Sequence, residues 1–412
     1  MENTSWKQPF HSFRRQLAKN WLKLFPHLKI IVVTGSFGKT NTVRVITYVL
    51  SQKYKTLQTD LNLDTVYNLP MTLLKLRPGH EALVLECGVD HRDEMDEHLS
   101  LFNPQIAVLT GISPVHSEPE LLGSIEGIME EKAKLLKALP SNGWAILNFD
   151  DVLVRKMAAR TKAKVLWYGI DKACDFWADE IEAGLTGTSF KLHARQFGVT
   201  DLDLKIGLLG QHAVHEGLAA AAAGLIYGLT TKQIKRGLAE MTPLSGRLSL
   251  EKGPLGTNIL DDHLRANPAS VRAGLETLMI LPCRGRKIAV LGEMGELGQY
   301  ALEEHQNLGK FIAGLKIDFF VGVGPLQKLT TQAAEKTGME KSHIFWAKNV
   351  QEAAEILENL LRPEDLWYLK GSLLKHLERI IFLLEKKAVF CKVISCHYYN
   401  SCLSCSNLQK RV

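Results

Sequence analysis

The sequence predicts an α/β protein of two domains: a central parallel-sheet domain with a phosphate-binding loop (P-loop) after its first strand, and a smaller Rossmann-like α/β domain behind it. Three observations carry this. An apolar run, Ile30 to Val33, leads directly into Gly35-Ser36-Phe37-Gly38-Lys39-Thr40 and then a helix-like segment, Val43 to Leu50. From Ile30 to about Gly228 short apolar runs alternate with helical stretches, the order that gives a parallel sheet covered on both faces. A second alternation begins after a break at Thr242-Pro243-Leu244-Ser245. The expected division is an amphipathic helix over 1–28, the central domain over 29–243, the second domain over 244–385 and a cysteine-rich tail over 386–412.

In chain order, Phe13, Leu17, Trp21 and Leu24 recur at helical spacing, with Arg14, Arg15, Lys19 and Lys23 on the opposite face. This predicts a helix packed across the domain edge, and its basic face would also suit a peripheral contact with an anionic membrane. The glycine turn follows. Gly35 and Gly38 let backbone N–H groups converge on an anion, and the helix N-terminus adds positive potential. Lys39 is placed to reach β- and γ-phosphates, and the Thr40 hydroxyl to hold Mg²⁺. The spacing is one residue short of the common G-x-x-x-x-G-K-[ST] form, with Thr34 where the first Gly would be. Strand, glycines, Gly-Lys-Thr and helix in register predict a nucleotide site.

Further strands are expected at Ala82 to Glu86, Ile106 to Leu109, Ala145 to Leu147 and Val165 to Tyr168. Ligands of such sheets sit at the carboxyl ends of the strands, which singles out Glu86 and the loop Thr110 to His116. Taken alone, a strand-end Glu is more often a capping residue and a loop His an exposed one. Ser124 to Leu139 reads as an amphipathic helix capped by Ser124, and Lys132 within it reads by spacing alone as a solvated lysine. In the second domain, strands at Ile259 to Leu260, Lys287 to Leu291 and Phe319 to Val323 alternate with helices at Pro268 to Leu281 and Leu326 to Thr337.

Composition bounds the function. A hydrophobic content of 46% and a charged content of 23% are those of a globular chain with full cores. A net charge of +6, spread along 412 residues, gives no support to a nucleic-acid partner. No apolar run approaches the roughly 20 residues that span a bilayer, and the N-terminus lacks a signal-peptide core, so a cytoplasmic protein is expected. Cys87, Cys174 and Cys283 are scattered and suit reduced thiols. Cys391, Cys396, His397, Cys402 and Cys405 crowd the tail. Tetrahedral Zn²⁺ is one reading of that crowding, but a single C-x-x-C at irregular spacing favours a flexible, reduced tail.

The phosphate loop Thr34-Gly-Ser-Phe-Gly-Lys-Thr-Asn-Thr42 resembles that of the Mur ligases, ATP-dependent enzymes that add amino acids to the peptidoglycan precursor. Further likenesses follow in family order. Asn62 with Pro70 and Thr72 resembles the Asn-rich loop ending in Pro-x-Thr, and Glu86-Cys-Gly88 resembles Glu-Met-Gly. Thr110 to His116, with Gly123 to Lys132, resembles the His-plus-Lys segment. Asn148-Phe-Asp150-Asp151 resembles Asn-x-Asp-Asp, and Gly210-Gln-His212 with Leu218-Ala-Ala220 resembles the adenine-side motif. Gly246-Arg247-Leu248, Asp261-Asp262, Ala266-Asn267-Pro268, Leu291 to Gly298 with His305 and Gly309, and Lys370-Gly371-Ser372 with Glu378 are similar to the C-terminal domain of the D-alanyl-D-alanine-adding branch.

The resemblance implies a mechanism. ATP phosphorylates a substrate carboxylate, an amine attacks the acyl phosphate, and ADP and phosphate leave. It implies that Gly35, Ser36, Phe37, Gly38, Lys39 and Thr40 cradle the phosphates, and that Thr40 and Glu86 hold one Mg²⁺. His116 and a carbamylated Lys132 would serve a second metal. Asn148 and His212 would lie near the adenine, and Arg247 and Asp262 would reach the nucleotide from the second domain. The implied partners are a cell-wall precursor peptide and D-Ala-D-Ala or a similar amine.

The chain also departs from the family. The family opens with a domain that grips UDP, whereas 28 residues precede Lys29, so the expectation is a grip supplied by a partner or an acceptor not held by UDP. Ala213 and Glu216 stand where the adenine-side motif has asparagines, Leu264 where Asp-Asp-x-Tyr has its Tyr, and Leu373 where Lys-Gly-Ser-Arg has its Arg. Losing that Arg removes a planar carboxylate clamp, which bears on amine recognition more than on ATP hydrolysis. Two further readings are a Mur-like ligase for a different carboxylate and amine, and a non-catalytic ATP-binding subunit.

Overall fold

The computed structural model describes residues 7–60, 65–393, 395, 396, 402, 405, 406 and 408. Asn62 therefore lies outside the described residues. The chain divides into two compact units. The first runs to Glu182 and adds Thr188–Gly207 and His212–Met241; the second runs from Thr242 and adds Ala183–Gly187 and Leu208–Gln211.

In the first unit the order is α1 (Lys7–Leu22), β1 (Lys29–Thr34), α2 (Lys39–Leu50), β2 (Thr56–Gln58), α3 (Leu69–Leu74), β3 (Ala82–Glu86), α4 (Glu94–Leu99) and β4 (Ile106–Leu109). It continues through α5 (Ile125–Lys137), β5 (Trp144–Asn148), α6 (Val152–Met157), β6 (Lys164–Gly169), β7 (Phe176–Gly184), β8 (Gly187–Ala194), β9 (Val199–Ile206), α7 (Gln211–Ile226) and α8 (Thr231–Ala239). The strands form a nine-stranded sheet, β2-β3-β1-β4-β5-β6-β7-β8-β9. It is parallel from β2 to β7, and β8 and β9 pair antiparallel.

Runs such as Ile30-Ile-Val-Val33 have no polar alternation because both faces of the strand are covered. One face carries Ile30, Val32, Leu83, Leu85, Ala107 and Leu109 into a core. The alternate residues Ile31, Val33, Val84 and Val108 are buried on the other face. Beyond Glu216, helix α7 is apolar all round, and Leu218 to Ala223 are wholly buried, as a helix through the middle of a domain must be.

Helix α1 reverses one expectation. Its buried residues are Ala18 and Leu22, with Trp21 half-buried and its Nε1 donating to Leu76 O at 3.2 Å. Phe13, Leu17 and Leu24, with Phe10, are 46–67% exposed. The small Ala18 permits close approach to the domain. Arg15, expected outward, donates to the Glu97 carbonyl at 2.7 Å and pairs with the Glu97 carboxylate at 3.1 Å.

The second unit contains β10 (Ser249–Lys252), β11 (Asn258–Asp262), α9 (Pro268–Ile280), β12 (Lys287–Gly292), α10 (Ala301–Ala313), β13 (Phe319–Val323), α11 (Gln327–Lys336), β14 (Ile344–Ala347), α12 (Val350–Leu360), β15 (Leu366–Lys370) and α13 (Glu378–Leu384). Its six-stranded sheet has the order β10-β11-β15-β12-β13-β14, parallel except for β10 against β11. Asn267 and Ser270 form a capping box at the start of α9, with Pro268 in the first turn, which accounts for the Ala-Asn-Pro sequence there.

The tail is not a loose extension where it is described. Cys396 N donates to Leu374 O at 2.9 Å, and Phe390 N to Leu408 O at 2.9 Å. Phe382, Cys402 and Leu408 form a small buried cluster. Hydrogen bonds to backbone and a few apolar contacts hold the segment against the second domain.

Candidate active site

The register of the sheet brings three strand ends together. Val33 pairs with Glu86 on one side, and Thr34 with Leu109 on the other, so the glycine turn, Glu86 and Thr110 leave the sheet side by side. Gly35 (φ 152°) and Gly38 (φ 73°) both lie at positive φ. A Cβ on Gly35 would stand 2.0 Å from Thr110 Oγ1, so the glycine is required by the neighbouring loop as well as by the turn. Helix α2 begins at Lys39, and the N–H groups of its first turn open onto the loop.

Lys39 is nearly buried, with Nζ 3.0 Å from Gly35 O. The Thr40 hydroxyl donates to Glu86 Oε1 at 3.1 Å, and Glu86 is held through its own N–H to Thr59 Oγ1 at 2.9 Å. These two oxygen donors under a phosphate-binding turn fit a hard divalent cation such as Mg²⁺. The loop after β4 wraps the turn: Ser36 N donates to Gly111 O at 2.8 Å, and Ser36 Oγ to Ser113 O at 3.1 Å. His116 adopts φ 67°, and its Nδ1 lies 3.0 Å from Val89 O, which ties this loop to the one leaving β3.

Asn148 donates to Thr110 O at 2.8 Å, and Asp151 Oδ2 accepts from Ile112 N at 2.8 Å. The Asn-x-Asp-Asp sequence thus positions the loop that carries His116. Lys132 is 1% exposed on α5, which overturns the reading of a solvated lysine. Its neighbour Glu131 is engaged elsewhere, accepting from Asp93 N and Met95 N at 3.0 and 2.8 Å. His212 stands in the first turn of α7.

Two contacts were not foreseen from the sequence. His215 Nε2 lies 2.6 Å from Asp150 Oδ2; burial pushes that carboxyl up, but the imidazole and the Ile170 amide hold it below its ordinary value. Glu216, where the family motif has Asn, is buried and faces Asn41 and Arg44 of α2, the helix that the phosphate turn opens. Burial raises its carboxyl to about 8 against the opposing Asn41 hydrogen bond and Arg44 charge. The replacement of Asn by Glu was legible; its inward orientation was not.

In the second unit Asp262 pairs in register with Lys370, and their side chains meet at 2.5 Å. Tyr368 OH donates to the same carboxylate oxygen at 3.2 Å, and the Arg247 charge acts on both members of the pair. Burial raises the Asp262 carboxyl, with Lys370 and Arg247 opposing it. His305 accepts from Met294 N at 3.2 Å and donates to Ala301 O at 2.6 Å, fixing the glycine-rich loop after β12; burial lowers its basicity. The structure thus joins the glycine turn, Glu86, His116 and Asn148 through one set of loops. Lys132 and His212 are on helices of the same unit, and Arg247 and Asp262 are in the other.

A phosphate-binding turn facing a strand-end carboxylate on a parallel sheet, followed by a second α/β domain, defines a nucleotide-dependent enzyme of two modules. The Mur ligase middle domain matches residues 33–224, and the Mur ligase glutamate ligase domain matches residues 246–373. The chain belongs to the Mur ligase family of ATP-dependent ligases. It is 32% identical over 306 residues to the UDP-N-acetylmuramoyl-tripeptide–D-alanyl-D-alanine ligase of Escherichia coli, covering 74% of this chain and 66% of that one. It is 31% identical over 368 residues to the Bacillus subtilis enzyme of the same name, covering 89% and 78%. Among solved structures, MurF from Acinetobacter baumannii superposes with a TM-score of 0.82 at 29% identity, covering 91% of this chain and 80% of that one. MurF from Thermotoga maritima, in complex with ADP, gives 0.79 at 25% identity, covering 91% and 83%.

Proposed function

We propose that this chain joins D-alanyl-D-alanine, or a similar amine, to the terminal carboxylate of a muramoyl peptide at the expense of ATP, in the cytoplasm. The observation that carries the reading is the Thr40–Glu86 contact at the carboxyl ends of β1 and β3, directly under the glycine turn. A substrate carboxylate oxygen attacks the γ-phosphorus and ADP leaves. The amine nitrogen then attacks the acyl carbon and phosphate leaves. Triphosphate and carboxylate repel, so catalysis rests on positioning and charge neutralisation.

In this reading Gly35, Ser36, Phe37 and Gly38 cradle the phosphates, and Lys39 neutralises the β- and γ-oxygens. Thr40 and Glu86 would hold Mg²⁺, which supplies charge neutralisation when bound. His116 and Lys132, the latter as its carbamate, would serve a second metal, which supplies further charge neutralisation when bound. Asn148 and His212 flank the adenine, and Arg247 and Asp262 reach the nucleotide on domain closure. The test is incubation with MgATP, D-Ala-D-Ala and UDP-muramoyl-tripeptide, following ADP and the pentapeptide product. ADP released only with other carboxylates or amines would move the assignment to a different substrate pair, the reading that Leu373 in place of Arg favours. No ADP with any acceptor would leave a non-catalytic nucleotide-binding subunit.

A second observation concerns where the enzyme works. The outward stripe Phe10, Phe13, Leu17 and Leu24 is bordered by exposed Lys19 and Lys23, and the segment from Lys7 to Lys29 contains no acidic residue. We infer that α1 meets an anionic membrane surface, inserting the aromatic pair while the lysines neutralise headgroups. Sedimentation with phosphatidylglycerol vesicles is expected, with none on phosphatidylcholine and loss in Phe13→Asp. Equal pelleting of that variant, or a stable complex with a chain that supplies a UDP-binding domain over this stripe, overturns it.

A further inference from the structure

Between β15 and α13 the chain turns sharply, with His376 in the left-handed region at φ 48°. His376, Glu378 and Cys402 are each no more than 3% exposed. His376 Nδ1 lies 2.9 Å from Glu378 Oε1, and Cys402 N donates to that same oxygen at 3.0 Å. One nitrogen, oxygen and sulfur ligand atom from the three residues fall within 4.8 Å of one another. The site also holds two buried polar atoms without a hydrogen-bond partner, His376 Nε2 and Glu378 Oε2. Buried orphan atoms are rare in native proteins, and an ion is one of their standard causes.

We propose that His376, Glu378 and Cys402 form a zinc site that pins the cysteine-rich tail to the second domain. Imidazole, carboxylate and thiolate together suit Zn²⁺ and not Mg²⁺ or Ca²⁺, which avoid sulfur. On binding, the Cys402 S–H bond breaks, an S–Zn bond forms, and the proton leaves to solvent. Arg379 supplies the outer contacts that orient such a ligand: its Nε donates to Cys402 Sγ at 3.1 Å, and its Nη2 to Cys391 Sγ at 3.6 Å. The guanidinium also offsets the charge of the carboxylate and thiolate. This differs from the tail-only ligand set that the cysteine spacing suggested, because two ligands come from the domain and one from the tail. The site is independent of the phosphate turn, so it stands or falls apart from the proposed ligase chemistry.

The experiment is elemental analysis of the full-length protein after incubation with ZnCl₂ and desalting. About one zinc per chain is expected. Cys402→Ser and His376→Ala should lose it, while Cys405→Ser retains it. Co²⁺ added to the metal-free protein should give a thiolate charge-transfer band that is absent in Cys402→Ser; this reads the sulfur ligand even if His376→Ala does not fold. Chelation should increase proteolysis in residues 387–393. Wild-type protein without zinc, or stoichiometric zinc in Cys402→Ser, overturns the site.

Discussion

Lys39 and Lys132 are both buried lysines, 7% and 1% exposed, and removal separates their roles. Lys39→Ala should lower turnover by about 10²- to 10³-fold, because a preorganised cation on a developing negative charge is lost. Lys132→Ala should lower turnover as severely, and bicarbonate should restore wild-type activity lost at low carbonate but leave the variant unchanged. Unaltered turnover in Lys132→Ala removes that residue from the site. Glu216 gives a pH signature. Its folded value of about 8 lies above the ordinary 4.5, so between those values the native state keeps a proton that the unfolded chain gives up. Its contribution is therefore flat below about pH 4.5, declines as pH rises to about 8, and stays low beyond, a loss on the order of a few kcal/mol. Glu216→Gln keeps the shape without the titration. Thermal unfolding should find it close to wild type near pH 5 and more stable than wild type at pH 8; an equal difference at both pH values contradicts this.

Among the elements, the fit of α8 on α2 gives a direct test of packing. A Cβ on Gly237 would stand 2.6 Å from Val49 Cα, with Tyr48 O at 2.9 Å, so backbone and not a movable side chain would have to yield. Gly237→Ala should lower stability by about 1–3 kcal/mol, read as a shifted urea midpoint at unchanged slope. The units that sequence reasoning identified have the opposite origin to this contact: they are local, whereas Gly237 and Val49 lie far apart in the chain. The run Ile30 to Val33, the two glycines and the following helix are specified within neighbouring residues, and β1, β3, β4, β5 and β6 appeared as apolar runs for the same reason. Strands β7 to β9 did not, because residues such as Glu180, Glu182, Lys191, Asp201 and Asp203 interrupt the apolar pattern. The face of α1 was misjudged because helical spacing shows which residues share a side, and Ala18 with the reaching Arg15 then decided which side packs. Lys132 could not be placed by spacing, since its burial comes from the fold around α5. Of the zinc-site ligands, Glu378 was singled out only through the family likeness and His376 not at all, and both are separated from Cys402 by 24 or more residues of sequence.

At the scale of the whole molecule, each unit has its own sheet with buried residues on both faces. In the second unit Leu260, Leu291 and Phe320 pack on one side, and Ile259, Val290 and Trp367 on the other. Two such cores make unfolding in two calorimetric transitions the expectation. Nucleotide linkage then tests the proposed reach of Arg247 and Asp262. A ligand at about 100 times its Kd stabilises what it binds by about 2.7 kcal/mol, or roughly 5–10 °C for units of this size. If the phosphate turn alone holds MgADP, only the transition of the first unit rises. If Arg247 and Asp262 also contact the nucleotide, both rise, and Arg247→Ala returns the second transition to its ligand-free temperature while the first stays raised. We expect the second pattern. A second transition unmoved by saturating MgADP would remove both residues from the nucleotide site and confine ATP recognition to the residues between Gly35 and His212.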